Sequence, residues 1–344
     1  MRRMRRRDAG FSNKEILRKL KRAIAREVFD SSPHLRCLPD HPQPRPPSAS
    51  SNTGSDATTP SPRTIAVGRS PHDTWQWTGR LSCVSDVFSE KLAAWRDYTR
   101  TPWARIRYGV VGDVLRRQTE QLGEQIRILD VGGGDGMDAL PLALAGHDVT
   151  VVDPSEAWLG EAQRRAAAAG ATIATVRAGL DDLPPGEWDL VMCHFVLRYR
   201  DGAADDIGAL ARRVRPGGRL SLMDVNPDGR VLRELLNGGP AAALEELKAD
   251  RAKVETFRTS ARKVSVETTM SEATAAGLTP IGIFGNRIAN DLLVDNTSKH
   301  DPAFFEQLLA LELELCDREP FNRVGFAWQL VLEHRATPRP GGAP

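Results

Sequence analysis

The stretch ILDVGGGDGMDALPLALAGHDVTVVDPS, Ile128 to Ser155, concentrates the residues whose types and spacing could do chemistry. Gly132, Gly133, Gly134 and Gly136 fall within five positions, after an apolar run and before a helix-like one. Without Cβ, backbone there can take positive φ and lie close to a ligand. A helix expected over Met137 to Ala145 would aim its unpaired N–H groups and positive dipole end at that ligand, which suits an anionic or carboxylate-bearing molecule. Asp153 ends the next apolar run, 21 residues after Gly132. An acid at that place can accept both hydroxyls of a ribose. The spacing Gly134-x-Gly136-x-x-Ala139 also fits the loose dinucleotide pattern, so the loop alone admits more than one nucleotide-like ligand. Asp130, just ahead of the glycines, argues against a dinucleotide, because those binders carry apolar residues there.

The elements that must hold this loop alternate along the chain. Strands are expected at IRILDV, HDVTVVD, ATIATVRAG, WDLVMCHFVL and RLSLMDVN, and helices at Ala157 to Ala169 and Asp205 to Val214. Such alternation implies a parallel sheet wound on both faces, an α/β doubly wound fold. Two helices meeting at Thr101-Pro102 precede it. A helical insertion (Ala241 to about Lys253), a helix around MSEATAAGL, a strand PIGIFGNRI, a helix opening at Asp301-Pro302 and a strand RVGFAWQLVLEHR follow. Ahead of this domain, residues 1–30 hold eleven Lys and Arg against four Asp and Glu. Ser12 and Glu15 match a capping box, and Ile16, Leu20, Ile24 and Val28 repeat every four residues, the pattern of a basic amphipathic helix. Residues 31–74 are rich in Pro, Ser and Thr and read as a disordered linker. The globular domain is expected over 75–336, with a disordered tail at 337–344.

The formal net charge of +2 argues against a dedicated nucleic-acid binder without excluding a nucleic-acid substrate. Cys37, Cys83, Cys193 and Cys316 form no CxxC pair, which suits a reducing cytoplasm and gives no disulfide or zinc framework. No His, Cys or carboxylate group shows metal spacing. No apolar stretch approaches the roughly 20 residues of a membrane span.

LDVGGGDG, the acid at Asp153, AGLDD, WDLVMCHFVL and RPGGRLSLMD occur in that order and spacing. In this the chain resembles the class I S-adenosylmethionine-dependent methyltransferases. The resemblance implies a Rossmann-like, mostly parallel seven-stranded sheet with an antiparallel last strand, and S-adenosyl-L-methionine as cofactor. GGGDG, AGHDVTVVDPS, HFVL, RPGGRLSLMDVNPDG, GIFGNRIANDLL and LLALELELCDREPFNRVGFAWQLVL further resemble the tRNA 5-carboxymethoxyuridine methyltransferase family, from roughly Phe88 to Arg335. That family methylates the carboxylate of a modified wobble uridine. The resemblance implies cofactor contacts at Arg107, Gly132, Gly133, Asp153, Gly179, Leu180 and His194. Arg107 would pair the methionine carboxylate. Gly132 and Gly133 would pass beneath the methionine moiety, Asp153 would take the ribose, and Gly179-Leu180, with Asp181 nearby, would flank the adenine. His194 would close the site beside the sulfonium. Asp130, Gly134 and Gly136 complete the expected cofactor loop.

Methyl transfer from a sulfonium is a direct displacement, in which the protein mainly aligns the acceptor. A carboxylate acceptor needs no base, whereas a hydroxyl or amine would benefit from one. His194 is the one candidate base near the cofactor, and no catalytic residue is assigned. Arg198, Asn226 and Arg287 are expected on the acceptor side, beside Asp291 and Arg323. Arg287 would either clamp an acceptor carboxylate or phosphate, or pair with Asp291. The chain departs from the tRNA enzymes where they carry a lysine-rich stretch. Here NGGPAAALEELKADRAKVETFRTSARK mixes acids and bases, while RNA affinity comes largely from Lys and Arg on phosphates. The acceptor is therefore expected to be tRNA or, alternatively, a small molecule or glycan. A cofactor-binding domain without catalysis is the third reading.

Overall fold

The computed structural model describes residues 92–202, 205–254 and 259–335. The basic segment at 1–30, the linker at 31–74, the domain's expected first residues 75–91 and the tail at 337–344 lie outside the described residues.

Two helices lead into the sheet. α1 (Leu92–Thr99) is followed by α2 (Pro102–Leu122), whose start is fixed by the Thr101 hydroxyl accepting the Ala104 N–H at 3.3 Å and by Pro102 in the first turn. Proline is tolerated there because its missing N–H would be unpaired anyway. Ile106, Val110, Val114 and their neighbours Val111 and Leu115 form the buried stripe of α2, and Arg107 lies on the same side.

Then strands and helices alternate: β1 (Arg127–Val131), α3 (Leu140–Leu144), β2 (Asp148–Asp153), α4 (Glu156–Ala168), β3 (Ala174–Arg177), β4 (Trp188–His194), α5 (Asp206–Ala211) and β5 (Val214–Val225). α6 (Pro227–Lys248), a two-stranded hairpin β6 (Arg251–Val254) and β7 (Thr259–Arg262), α7 (Val266–Ala275), β8 (Leu278–Asn286), α8 (Ile288–Leu292), α9 (Pro302–Leu315) and β9 (Ala327–His334) complete the chain. The main sheet has seven strands in the order β3-β2-β1-β4-β5-β9-β8. β1 to β5 pair in parallel, and β9 runs antiparallel between β5 and β8. The expected doubly wound sheet with an antiparallel last strand is thus the one observed.

Strand periodicity divides the core into two layers. Leu129, Val131, Val191, Cys193, Leu220 and Leu222 pack with α5 and α7. Ile128, Val151, Leu190, Met192 and Met223 pack on the other face with α2, α3 and α4. β4 continues that alternation, so His194 points to the face that carries Met192. The register aligns Val131 with Val152 and Cys193, and His194 with Met223. The carboxyl ends of β1, β2, β4 and β5 therefore form one edge, the place where open α/β sheets bind ligands.

Two expectations need correction. The helix expected from Met137 begins only at Leu140. Pro141 sets that limit: a helix begun at Met137 would require the missing Pro141 N–H to bond the Met137 carbonyl. The insertion expected from Ala241 instead starts at Pro227, capped by Asn226, and kinks at Gly239 (φ 79°) before Pro240. It ends at Lys248 and is followed by the β6–β7 hairpin, which alternation in RAKV and TSAR signals but a helical reading of the region hides.

Candidate active site

The glycine loop is packed from below. Gly132 (φ 69°) and Gly134 (φ 54°) sit in the left-handed region. A Cβ at Gly132 would stand 2.3 Å from Val196 Cγ2, and one at Gly133 would stand 2.4 Å from Asp130 Oδ2. The glycines are required here by conformation and by this packing, whatever lies above them. Their N–H groups are also engaged: Gly132 and Gly133 donate to the Val152 carbonyl (2.7 and 3.2 Å), Gly134 to Asp153 Oδ2 (3.2 Å) and Gly136 to the Gly133 carbonyl (2.9 Å). The helix after the loop starts only at Leu140, whose N–H already donates to the Gly136 carbonyl at 2.8 Å.

Asp153 ends β2 with its Oδ2 on the Gly134 N–H and its Oδ1 on the Ser155 N–H at 2.8 Å. Burial raises its pKa to about 6. Each oxygen keeps a second lone pair, so the carboxylate can still accept ribose hydroxyls. Asp130 is buried beneath the loop, and its Oδ2 has no partner; burial, then the nearby Asp138, pushes its pKa well above the ordinary range. Trp158, whose ring lies 3.4 Å from a Cβ built at Gly134, also buries an unpartnered N–H. Asp135 accepts from Trp95 Nε1 (3.1 Å) and pairs with Arg165 (3.1 Å), and burial raises it to about 6. Burial thus disfavours the charged form of all three carboxyl groups beside this loop.

Arg107 comes from α2 onto the same edge. Its guanidinium makes a two-pronged pair with Asp138 (2.8 and 2.6 Å) and lies against the Tyr108 and Phe195 rings. The methionine carboxylate expected at Arg107 would be met by the N–H groups that Asp138 leaves free. Asp138 also bonds His194 Nδ1 at 2.9 Å, and His194 Nε2 bonds Ser221 Oγ at 3.0 Å. Ser221 in turn accepts from Gln329 Nε2 at 2.9 Å. Burial alone would raise Asp138; Arg107, then His194, hold it down to about 2.

Gly179 and Leu180 open the short turn Leu180–Asp182 after β3. Asp181 is held by Arg200 at 2.8 and 2.5 Å, which lowers its pKa, and Arg200 also binds Asp206. The backbone of this turn is thus the part left to face an adenine.

The expected acceptor-side residues are mostly tied into the protein. Asn226 caps α6 by accepting the Asp228 N–H at 3.1 Å, and its amide donates to the Arg323 and Gly325 carbonyls (2.7 and 3.0 Å). Both of its N–H groups are thus used inside the protein, and its oxygen keeps one lone pair for a substrate. Of the two readings of Arg287, the structure shows the pair with Asp291, at 2.8 Å for both contacts, with the guanidinium 4.2 Å from the Phe326 ring centre. Arg198 donates its backbone N–H to Asp224 at 3.1 Å, and its side chain stands 3.8 Å from the same carboxylate. Arg323 lies near Glu267 and Glu319 at 3.4 and 3.3 Å.

The sequence reading missed Asp138, Ser221 and Gln329. Ser221 and Gln329 are polar residues inside apolar strand runs, a usable signal of an internal network; Asp138 follows the glycines without a spacing rule to mark it. A cavity of about 800 Å³ lies elsewhere, at the start of β5 beside Arg219, Phe284 and Glu333, away from the glycine loop. Among the described residues no group of His, Cys, Asp and Glu could hold a metal ion, and no helix is long and apolar enough to cross a membrane.

Residues 128–218 match a family model described as a methyltransferase domain. The chain is 28% identical over 249 residues to tRNA 5-carboxymethoxyuridine methyltransferase of Escherichia coli K12, covering 70% of this chain and 92% of the relative. It is 35% identical over 103 residues to the ubiquinone biosynthesis O-methyltransferase of Dechloromonas aromatica, covering 29% of this chain and 44% of that one. Magnesium protoporphyrin IX methyltransferase from Synechocystis, solved with bound SAH, shares the fold at a TM-score of 0.50 and 19% identity, covering 73% of this chain and 98% of that one. Sequence motifs, sheet order and family match agree: the chain is an S-adenosylmethionine-dependent methyltransferase of the class I fold.

Proposed function

We propose that this enzyme methylates a carboxylate oxygen, and that a modified wobble uridine of tRNA is its acceptor. The observation that carries the carboxylate is the state of His194: both ring nitrogens are hydrogen-bonded inside the protein, leaving none for an acceptor's proton. An acceptor that arrives ionised, as a carboxylate does near neutral pH, needs no base. The tRNA assignment rests on the long alignment with the wobble-uridine enzyme.

When bound, S-adenosylmethionine supplies an electrophilic methyl group on a sulfonium. Asp153 would hold its ribose, Arg107 its carboxylate, Gly132 and Gly133 its methionine chain, and Gly179 and Leu180 its adenine. The fit rests on the two Asp153 oxygens, each with a lone pair left for a ribose hydroxyl, and on the Arg107 N–H groups that Asp138 leaves free. The protein's part in the transfer is to align the acceptor oxygen opposite the sulfur and keep water out.

A small-molecule acceptor is the second reading, and the pairing of several arginines and a lysine with carboxylates favours it. Arg230 and Lys263 share Glu246, Arg287 is paired with Asp291 and Arg200 with two aspartates. Such pairs leave little free charge for RNA phosphates. Incubation of cell extract with protein and methyl-labelled cofactor, with and without RNase, separates the two. Label in full-length tRNA that RNase removes supports the wobble uridine; label in low-mass material indifferent to RNase overturns it in favour of a small acceptor.

A further inference from the structure

We propose that Gln329, Ser221, His194 and Asp138 form a one-way hydrogen-bond relay that fixes Arg107 for the cofactor's carboxylate, and that His194 is a positioning residue locked as its neutral Nδ1–H tautomer. This rests on the placement of the cofactor given above.

The direction of the relay follows from donors and acceptors. An ionised carboxylate can only accept, so Asp138 takes its bond from a proton on His194 Nδ1. In a neutral ring Nε2 is then an acceptor, and its partner Ser221 must donate its hydroxyl proton. Ser221 can do so because its own oxygen is supplied by the Gln329 amide. The opposite sense would turn an unprotonated Nδ1 lone pair toward a carboxylate, or would require an imidazolium that, with the Gln329 amide, fills both lone pairs of Ser221 and leaves its buried hydroxyl proton without an acceptor. Every member is on the sheet face covered by α2, contributed by β4, β5, β9 and the loop after β1. Ser221 and Gln329 are 0% and 1% exposed, so water cannot replace either partner.

The consequence concerns Arg107. One edge of its guanidinium is clamped by both Asp138 oxygens, and the ring of Phe195 lies 5.1 Å from its centre. A planar group held on one edge presents its remaining N–H groups in a fixed direction. His194 steadies the carboxylate that does the clamping, so it acts on the cofactor through Asp138 and Arg107.

Calorimetric titration with two probes tests this without an acceptor: S-adenosylhomocysteine, and 5′-methylthioadenosine, which lacks the amino acid end. For His194→Ala the relay predicts about tenfold weaker binding of S-adenosylhomocysteine, with 5′-methylthioadenosine within about twofold of the wild type. His194→Asn, whose amide can still donate to Asp138, is expected to restore most of the difference. Equal losses for both probes, or no rescue by Asn, would overturn the relay. If the alanine variant fails to fold, the nitrogen NMR of the wild-type ring decides: protonated Nδ1 and bare Nε2 support the lock, and the reverse tautomer or an imidazolium ends it. A wild-type protein that binds both probes equally would instead refute the placement of the carboxylate on Arg107.

Discussion

Asp153→Asn separates a ribose contact from a mere loop staple. In the free protein Asp153 is held by two backbone N–H groups but is poorly solvated, and its pKa rises from 3.8 to about 6. Well above pH 6, that rise corresponds to about 3 kcal/mol disfavouring the charged form in the fold. Asparagine removes the buried charge and keeps one acceptor, at a loss of about 1 kcal/mol for the second backbone bond. The free variant is therefore expected to be more stable by about 1–2 kcal/mol at pH 7.5, raising Tm by about 2–6 °C. Binding should move the other way. Losing a charged acceptor for ribose hydroxyls removes about 1.5–3 kcal/mol, or about 10- to 150-fold in the Kd for S-adenosylhomocysteine. Calorimetry and thermal unfolding on the same preparation read both. An affinity within about twofold of the wild type refutes the ribose role; lower stability together with weaker binding shows that Asp153 matters through the loop instead.

The same carboxyl group sets a pH dependence. Because its folded pKa is raised, its contribution to stability is present at low pH and is lost as pH rises toward and through about 6, while ribose binding calls for the ionised form. Affinity for S-adenosylhomocysteine should thus fall as pH drops below about 6, and titrations of Asp153→Asn across that range should lose this dependence. Gly132→Ala combines a strained φ of 69° with a methyl group 2.3 Å from Val196 Cγ2, so denaturant unfolding should show a loss of about 2–4 kcal/mol. Asn226→Ala removes a helix cap and two bonds to carbonyls, and about 2–3 kcal/mol of stability should go with it. Its affinity for S-adenosylhomocysteine should stay near that of the wild type by calorimetry, since the partners of Asn226 are Asp228, Arg323 and Gly325 and none is in the glycine loop.

What could be read from the sequence was set by local rules. Strand alternation in IRILDV and HDVTVVD fixed where Asp130 and Asp153 end up, because period-two patterning also determines the register. Proline and glycine fixed boundaries that helical periodicity alone misplaced: Pro141 delays α3, and Gly239-Pro240 kinks α6. Arg107 could be singled out, yet its partner could not, because Arg107 and Asp138 are 31 residues apart and meet only through the packing of α2 on β1 and β4. The acceptor-side arginines show the same gap. Their positions were legible, but pairing of Arg287 with Asp291 and of Arg198 with Asp224 is decided by burial, which makes an unpaired charge expensive.

The central claim is methyl transfer to an ionised carboxylate, and the stability of the product tests it most directly. Methyl-labelled cofactor, the protein and cell extract are incubated, and the labelled product is treated with mild alkali. A carboxylate acceptor gives an ester, so the account predicts label released as methanol. Label that survives alkali, as on an amine, a phenol ether or carbon, would contradict it and return His194 or another group to the role of base.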